Sequence, residues 1–488
     1  MTHCMKPIEI RDLLDYRFLH SLAWSGRHAL CIQTQMDEKS NQYHSNLMEL
    51  DLSTMTVKPL TTDGRLSSFV FEDEQTVLFA ACRKKEDEPE AGQKKTVIYR
   101  FALTGGEARK AWEVPFDVRE MRPIPGTTLV VLKVLENLAE SDPTFAHAGL
   151  AEDEKDYVIL HEVPFVANGA GFVDGERQAL ILWDWKHGQS QRLTPEGFDC
   201  AHFAVGGMHI YYSGNVWRDV CPKTAGCYDY DVVSGNTQVC VAPGRLRIGD
   251  LVADDHQLIF LATDMMPYGN GTSYDFYRYD LQTGQTARIA GFEYSISSCV
   301  NSDARYGGGT TILLNEDTVY FTATVGYQTE LFSLKAGKIE KAVPFQGAVS
   351  GFAITPEGFL ITAMEPGKLQ EIYFTDRQGS VMRHSDISSI CLRDKAVQPC
   401  EYAGFINRSG VQIDGWLIRP VNYDPTRQYP AILDIHGGPR TAYGELFFHE
   451  MQVWASQGYF VFFCNHRGSD GYGDEFADLR LKYGTIDY

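Results

Sequence analysis

Apolar positions fall in short runs rich in Val, Ile, Tyr and Phe: HALCIQT from His28, TVLFAAC from Thr76, MHIYYSG from Met208, HQLIFLA from His256 and TVYFTAT from Thr318. Such runs, bounded by turn residues, read as buried β-strands. After each comes a second signature: an apolar or aromatic residue, often an Asp, a turn, then a more polar strand. It appears as LDLSTMTVKPL from Leu50, FALTGGEARKA from Phe101, WDWKHGQSQRL from Trp183 and YDVVSGNTQVC from Tyr230. It returns as YDLQTGQTARI from Tyr279, FSLKAGKIEKA from Phe332 and FTDRQGSVMRH from Phe374.

Six of these seven copies carry glycine at one offset: Gly106, Gly188, Gly235, Gly284, Gly337 and Gly379; Met55 takes that place in the first. A tight hairpin needing positive φ explains the glycine, which adopts it without steric cost. Each copy then reads as the last hairpin of a four-stranded unit. A spacing of roughly 40–55 residues is that of propeller blades. One interval is longer and holds an acidic insertion around Leu135 to Lys155. The pattern predicts an all-β seven-bladed propeller over residues 15–397, after an N-terminal segment 1–14.

From residue 398 the pattern changes. EYAGFIN and VQIDGWLIRP read as strands joined at Arg408-Ser409-Gly410, and AILDIHGG as a short apolar strand ending in glycines. FFHEMQVWASQG has helical spacing, with Phe448, Met451, Val453 and Trp454 on one face and Gly458 as its stop. YFVFFCN is continuously apolar, as in a strand covered on both faces. DEFADLRLKYG predicts a second helix capped by Asp474 and stopped by Gly484. Strand, helix, strand, helix implies a parallel sheet with crossovers.

Two motifs here point to chemistry. His436-Gly437-Gly438-Pro439 ends one predicted strand, where glycine N–H groups can face a crevice and hold a developing oxyanion. Asn465-His466-Arg467-Gly468-Ser469-Asp470-Gly471-Tyr472-Gly473 follows the next. With the opening IEIRDLLDYRFLHSLAWS, the repeats, HEVPFVANGAGF and DIHGGP, the chain resembles the prolyl oligopeptidase family of serine peptidases, closest to its acylaminoacyl-peptidase-like bacterial branch. The resemblance implies a propeller capping an α/β-hydrolase domain, with the active site between them. It implies that Gly438 N–H contributes to the oxyanion hole. His436 stands where some branches carry an oxyanion-stabilising tyrosine; it serves there or as a structural histidine. Gly437, Arg467 and Tyr472 are read as oxyanion or structural support. Glu162 and Asn168 are candidate substrate contacts, because acidic propeller residues of the dipeptidyl-peptidase branch hold a free amino group; otherwise they are ordinary surface or hydrogen-bonded residues.

No G-x-S-x-G nucleophile elbow occurs in the 488 residues. Ser469 directly follows Gly468, and Ser456 lacks the first glycine. The resemblance places nucleophile, acid and base beyond Tyr488. Residues 398–488 are therefore expected to form an incomplete α/β-hydrolase domain with no catalytic triad, and the chain as given to be inactive. The resemblance also leaves AILDIHG as an open apolar edge, so the last ninety or so residues are expected to be marginal and to be lost first in limited proteolysis. The functional expectation is a serine peptidase acting on short or N-acylated peptides through an acyl-enzyme. The alternative is a non-catalytic propeller that binds or scaffolds, and a bare fragment is a third reading.

Composition narrows the partners. Acidic residues outnumber basic ones 64 to 44, a net charge of −20, which disfavours nucleic acid. No long apolar run suggests a membrane span, and the N-terminus shows no signal peptide. The eleven cysteines lack metal or redox spacing, even at Cys221 and Cys227, and read as reduced thiols of a cytoplasmic protein. No histidine pairing implies a metal, and no cofactor is expected. The acidic stretch Glu86 to Glu90 is expected to be a solvated hairpin tip. A homo-oligomer is compatible with all of this.

Overall fold

The computed structural model describes residues 5–481 except 53, 55, 91, 141–158 and 439. Its described residues divide into two compact bodies. One lies within Met1–Leu66, Met265–Tyr274 and Ala290–Tyr488; the other is Ser67–Asp264 with Asp275–Ile289.

Among the described residues, the repeated phrases are the outer hairpins of seven four-stranded antiparallel units. The first is Arg17–Ser25, His28–Asp37, Gln42–Asp51 and Thr56–Pro59; the second is Leu66–Asp73, Thr76–Ala81, Thr96–Ala102 and Arg109–Val114. The third is Asp117–Pro123, Leu129–Asn137, Glu176–Asp184 and Gln189–Arg192, with the long insertion between its second and third strands. The fourth and fifth share one 17-residue strand, Thr237–Ala253, giving a single seven-stranded sheet. The sixth runs from Ile312–Asn315 to Lys338–Val343 and the seventh from Ala348–Ile354 to Val381–Arg383.

The six repeat glycines all have positive φ, from +64° at Gly188 to +111° at Gly106. Met55, in the first copy, lies outside the described residues. The recurrent Asp has its own cause. Its carboxylate accepts N–H groups of the turn that follows: Lys186 and His187 for Asp184, Val233 and Ser234 for Asp231, Thr283 for Asp280. These are Asx turns, which fold the hairpin before any distant contact forms.

Within each body, neighbouring units bury apolar faces on each other. Leu19, Leu22, Ala29 and Cys31 of the first unit share a core with Ala353, Leu360 and Ile372 of the seventh. No strand is exchanged between those two units, so side-chain packing joins them. The acidic stretch is exposed at Glu86, Glu88 and Glu90 as expected, but Asp87 is buried and accepts hydrogen bonds from Tyr99 Oη (2.6 Å) and the Arg83 and Lys84 N–H groups. Neutral donors compensate its desolvation. Of the acidic insertion, residues 141–155 lie outside the described residues. The ten described cysteines are free thiols.

Beyond residue 398 a four-stranded sheet has the order Cys400–Tyr402, Gly415–Ile418, Phe460–Cys464, Ala431–Asp434. The last two strands are parallel; the other pairs are antiparallel. The parallel pair is joined through the helix His449–Ser456, which ends at Gly458 with φ +96°. The hairpin at 408–410 forms as read, between Phe405–Ile406 and Gln412–Ile413. Ala431–Asp434 is the sheet edge, and Leu433 and Ile435 are 59% and 63% exposed.

Three expectations change. Phe460–Cys464 is buried on one face only: Val461 and Phe463 are buried, while Phe460 and Phe462 are partly exposed. Of the second helix only Asp474–Ala477 is helical among the described residues, and residues 482–488 lie outside them. Asp474 is not its cap. Gly473 holds that position, and the Asp474 carboxylate is taken by Ser273 N (2.9 Å) and Oγ (2.6 Å). Nor is the segment a detached tail. Leu446, Phe447 and Val453 share one core with Ile8, Tyr16, Phe18, Val300, Ala348 and Met364. No helix among the described residues is long and apolar enough to cross a membrane.

Candidate active site

Open crevices form at the carboxyl ends of parallel strands, because the chain leaves the sheet there in diverging directions. Both motif loops, 435–444 and 465–473, leave the parallel pair at that end. Gly437 and Gly438 are exposed, and Gly438 has φ +124°. Neither N–H has an acceptor among the described residues. Exposed and unbonded within the described protein, the two N–H groups are free to donate to water or to an anion.

The loop around them is firmly held. Asn465, fully buried at the end of its strand, accepts from Tyr443 N (2.7 Å). Through Nδ2 it donates to Tyr443 O (2.9 Å) and Tyr472 Oη (3.1 Å). Tyr443 Oη donates to Asp434 (2.9 Å), closing a clasp between strand end and loop. Burial, then the Asp434 carboxylate, push the Tyr443 phenol well above its usual range, so it stays a donor.

Arg440, two residues past Gly438, is the second clamp. Its guanidinium donates to Gly271 O, Asp474 Oδ1 (3.2 Å), Ser273 Oγ (3.2 Å), Ser295 Oγ (3.3 Å) and Asp470 Oδ1 (3.4 Å). Ser295 Oγ also donates to Asp470 Oδ2 at 2.5 Å. A planar fork between two carboxylates fixes direction as well as charge.

His436 is buried and turned inward. Its Nε2 lies 2.8 Å from Ser469 Oγ, and its ring stacks on His466 at 4.6 Å. Burial lowers its pKa, and His466 lowers it further, so the ring is neutral at pH 7. The Ser469–His436 contact has the distance of a nucleophile–base pair but not the chemistry. Ser469 is fully buried, and its proton is donated to His466 O at 2.7 Å. A nucleophile needs a free approach.

Arg467 ties its loop to the short helix, donating to Glu475 O (3.2 Å) with its guanidinium 5.8 Å from the Phe476 ring. Tyr472 packs on Phe476 and donates to Asp414 (2.7 Å). Both contacts are of a supporting kind. Glu162 lies in the other body, 3% exposed, its carboxylate gripped by Arg177 NH1 (2.9 Å) and NH2 (2.5 Å) and by Gly175 N (3.3 Å). Arg177 lies 3.7 Å from the Trp217 ring centroid. Both Glu162 oxygens are thus engaged. Asn168 is exposed at the tip of the hairpin Val166–Ala167/Gly171–Phe172.

The residues missed in the sequence are Arg440 and the clasp role of Asn465. Arg440 adjoins a recognised motif, but three of its five partners lie 145 to 169 positions away, and no local pattern announces them.

Known proteins resemble this chain in sequence and fold. The sequence pattern of the prolyl oligopeptidase family matches residues 445–488. An uncharacterised peptidase of Bacillus subtilis, YuxL, is 25% identical over 480 residues, covering 95% of this chain and 71% of that protein. The acylaminoacyl peptidase of Pyrococcus horikoshii superposes with a TM-score of 0.75 at 18% identity, over 97% of this chain and 69% of its own. The β-propeller domain of the trilobed protease of Pyrococcus furiosus superposes with a TM-score of 0.50 at 11% identity, over 77% of this chain and 98% of its own. The fold is a β-propeller followed by part of an α/β-hydrolase domain, and residues 445–488 carry the pattern of the prolyl oligopeptidase family.

Proposed function

We propose that this chain supplies the propeller and the oxyanion framework for hydrolysis of short or N-acylated peptides through an acyl-enzyme. Residues 15–397 form the propeller in this reading, 398–488 the opening part of the hydrolase domain, and 1–14 a segment before both. The observation that carries the reading is the pair of open N–H groups at Gly437 and Gly438, held at the carboxyl end of a parallel strand by Asn465 and Arg440. Such donors stabilise the tetrahedral oxyanion more than the ground-state carbonyl, which is what accelerates acyl transfer. Gly438 is the principal donor; His436, Arg467 and Tyr472 support the loop.

The 488 residues contain no G-x-S-x-G, so this polypeptide by itself is expected to bind peptides without cleaving them. The free thiols fit a cytoplasmic setting. Titration calorimetry with an N-acetyl tripeptide, followed by chromatography of the mixture, tests this. Binding with the peptide recovered intact is expected. Absence of binding, or cleavage, contradicts it.

A further inference from the structure

Residues 298–309 connect two parts of the first body. At one end Cys299 O accepts from Thr441 Oγ1 (3.0 Å) and Ala442 N (3.1 Å), just past the Gly438 loop. In the middle, Ser302 Oγ donates to Phe447 O (2.7 Å), and the Asp303 carboxylate accepts from His449 N (2.6 Å) and Glu450 N (2.8 Å). At the other end, Gly308 O accepts from Ser21 N (2.9 Å), and a Cβ on Gly309 would stand 2.6 Å from Gly351 Cα. The segment is pinned along its length.

Within it Arg305 is an anomaly. It is half-buried, yet its hydrogen bonds go only to one neutral residue: NH1 to Ser298 Oγ (2.9 Å) and NH2 to Ser298 O (3.4 Å). No carboxylate pairs with it among the described residues. Asp303, two positions before it, is spent on the helix N–H groups, and Asp470 on Ser295 and Arg440. Burial depresses its pKa, and the neighbouring Cys299, whose own pKa burial raises to about 11, is a neutral thiol that supplies no counter-charge near pH 7. The two Arg of the motif loops are engaged: Arg440 answers two aspartates, and Arg467 bonds a carbonyl and covers a ring. A desolvated guanidinium without a counter-ion is costly, and such groups are normally paired. Arg305 keeps further N–H donors beyond those used on Ser298, in a fork suited to two carboxylate oxygens.

We propose that Arg305 is the recognition point for a carboxylate of a peptide bound beside the Gly438 loop, an inference that rests on the peptide-binding reading above. The carboxylate is either the peptide's C-terminus or an acidic side chain. Ser298 orients the guanidinium, and the pinned segment sets its distance from the oxyanion donors. The site therefore favours short acidic or free-ended peptides over amidated neutral ones.

Three ligands test this by calorimetry on the 488-residue chain: acetyl-Ala-Ala-Ala with a free C-terminus, the same peptide amidated, and acetyl-Ala-Glu-Ala amidated. At least one carboxylate-bearing peptide is expected to bind about tenfold or more tightly than the neutral amide, as a charge-assisted bond implies. Preference for the first identifies the C-terminus; preference for the third identifies a side chain. Arg305→Gln should abolish the preference while leaving the amide's affinity unchanged, and Arg305→Lys should restore part of it. In the unaltered protein the preference should shrink as salt rises. Equal binding of all three, or a preference that survives Arg305→Gln, overturns the inference but leaves peptide binding standing. Failure of all three to bind overturns both.

Discussion

Glycine serves two different purposes in this molecule, and the contrast separates its two regions. In the repeat hairpins a Cβ at Gly188 or Gly284 would meet nothing within 4 Å. Only the positive φ calls for glycine there. At Gly468 and Gly471 in the 465–473 loop, space is also exhausted. A Cβ on Gly471 would stand 2.0 Å from Gly326 O, and one on Gly468 would stand 2.3 Å from the Leu479 side chain. The same residue is a local turn signal in one region and a tertiary contact in the other. The repeats therefore tolerate variation, as Met55 in the first copy illustrates, whereas the loops carry exact approach distances.

The largest effect should come from Gly471→Ala. Its φ of +87° and the overlap with Gly326 O act together, and Gly326 N donates to Gly471 O at 2.6 Å. Backbone strain and overpacking each cost about 1–3 kcal/mol, so a loss of about 3 kcal/mol or more in urea unfolding is expected. A loss below about 1 kcal/mol would erase the distinction between the regions. Next comes Asn465→Ala. It strands the N–H and C=O of buried Tyr443, and leaving such groups unpaired costs about 1–3 kcal/mol. Hydrogen exchange should also quicken at Tyr443, a change that mere loss of packing would not localise.

Gly188→Ala should cost only about 1 kcal/mol, the penalty for φ +64° in open space. A cost equal to that of Gly471→Ala would break the comparison from the other side. The smallest effect is a pH dependence in the same hairpin. The Asp184 carboxyl is lowered from 3.8 to about 2, first by the His187 side chain and then by Thr128 and turn N–H groups. A folded pKa below the unfolded one gives stability that is complete above about pH 4 and lost as pH falls toward 2. Carboxyl NMR should show this group titrating last, and Asp184→Asn should remove that part of the acid dependence.

What could be read in the sequence follows the same division. The seven hairpins were legible because their causes are local: a glycine for φ, an Asp accepting the next N–H groups, alternating β-formers. The place of the Gly438 loop was legible because two glycines end an apolar strand. What was not legible depended on distant partners. Asp474 reads as a helix cap, but Ser273 and Arg440 claim its carboxylate. Glu162 reads either as a substrate contact or as a hydrogen-bonded glutamate, and the partner that engages both its oxygens, Arg177, lies 15 positions away. The single strand Thr237–Ala253 serves two units and hides the boundary between them, because nothing in its residues interrupts β structure.

In the function proposed for this chain, these residues hold an oxyanion framework without a nucleophile of their own. A fluorophosphonate probe reacts only with an activated serine, and intact mass after labelling reads the outcome. No adduct is expected on the 488-residue chain, Ser469 included, since that hydroxyl is buried and its proton is held by His466 O. Stoichiometric labelling of any serine would contradict it.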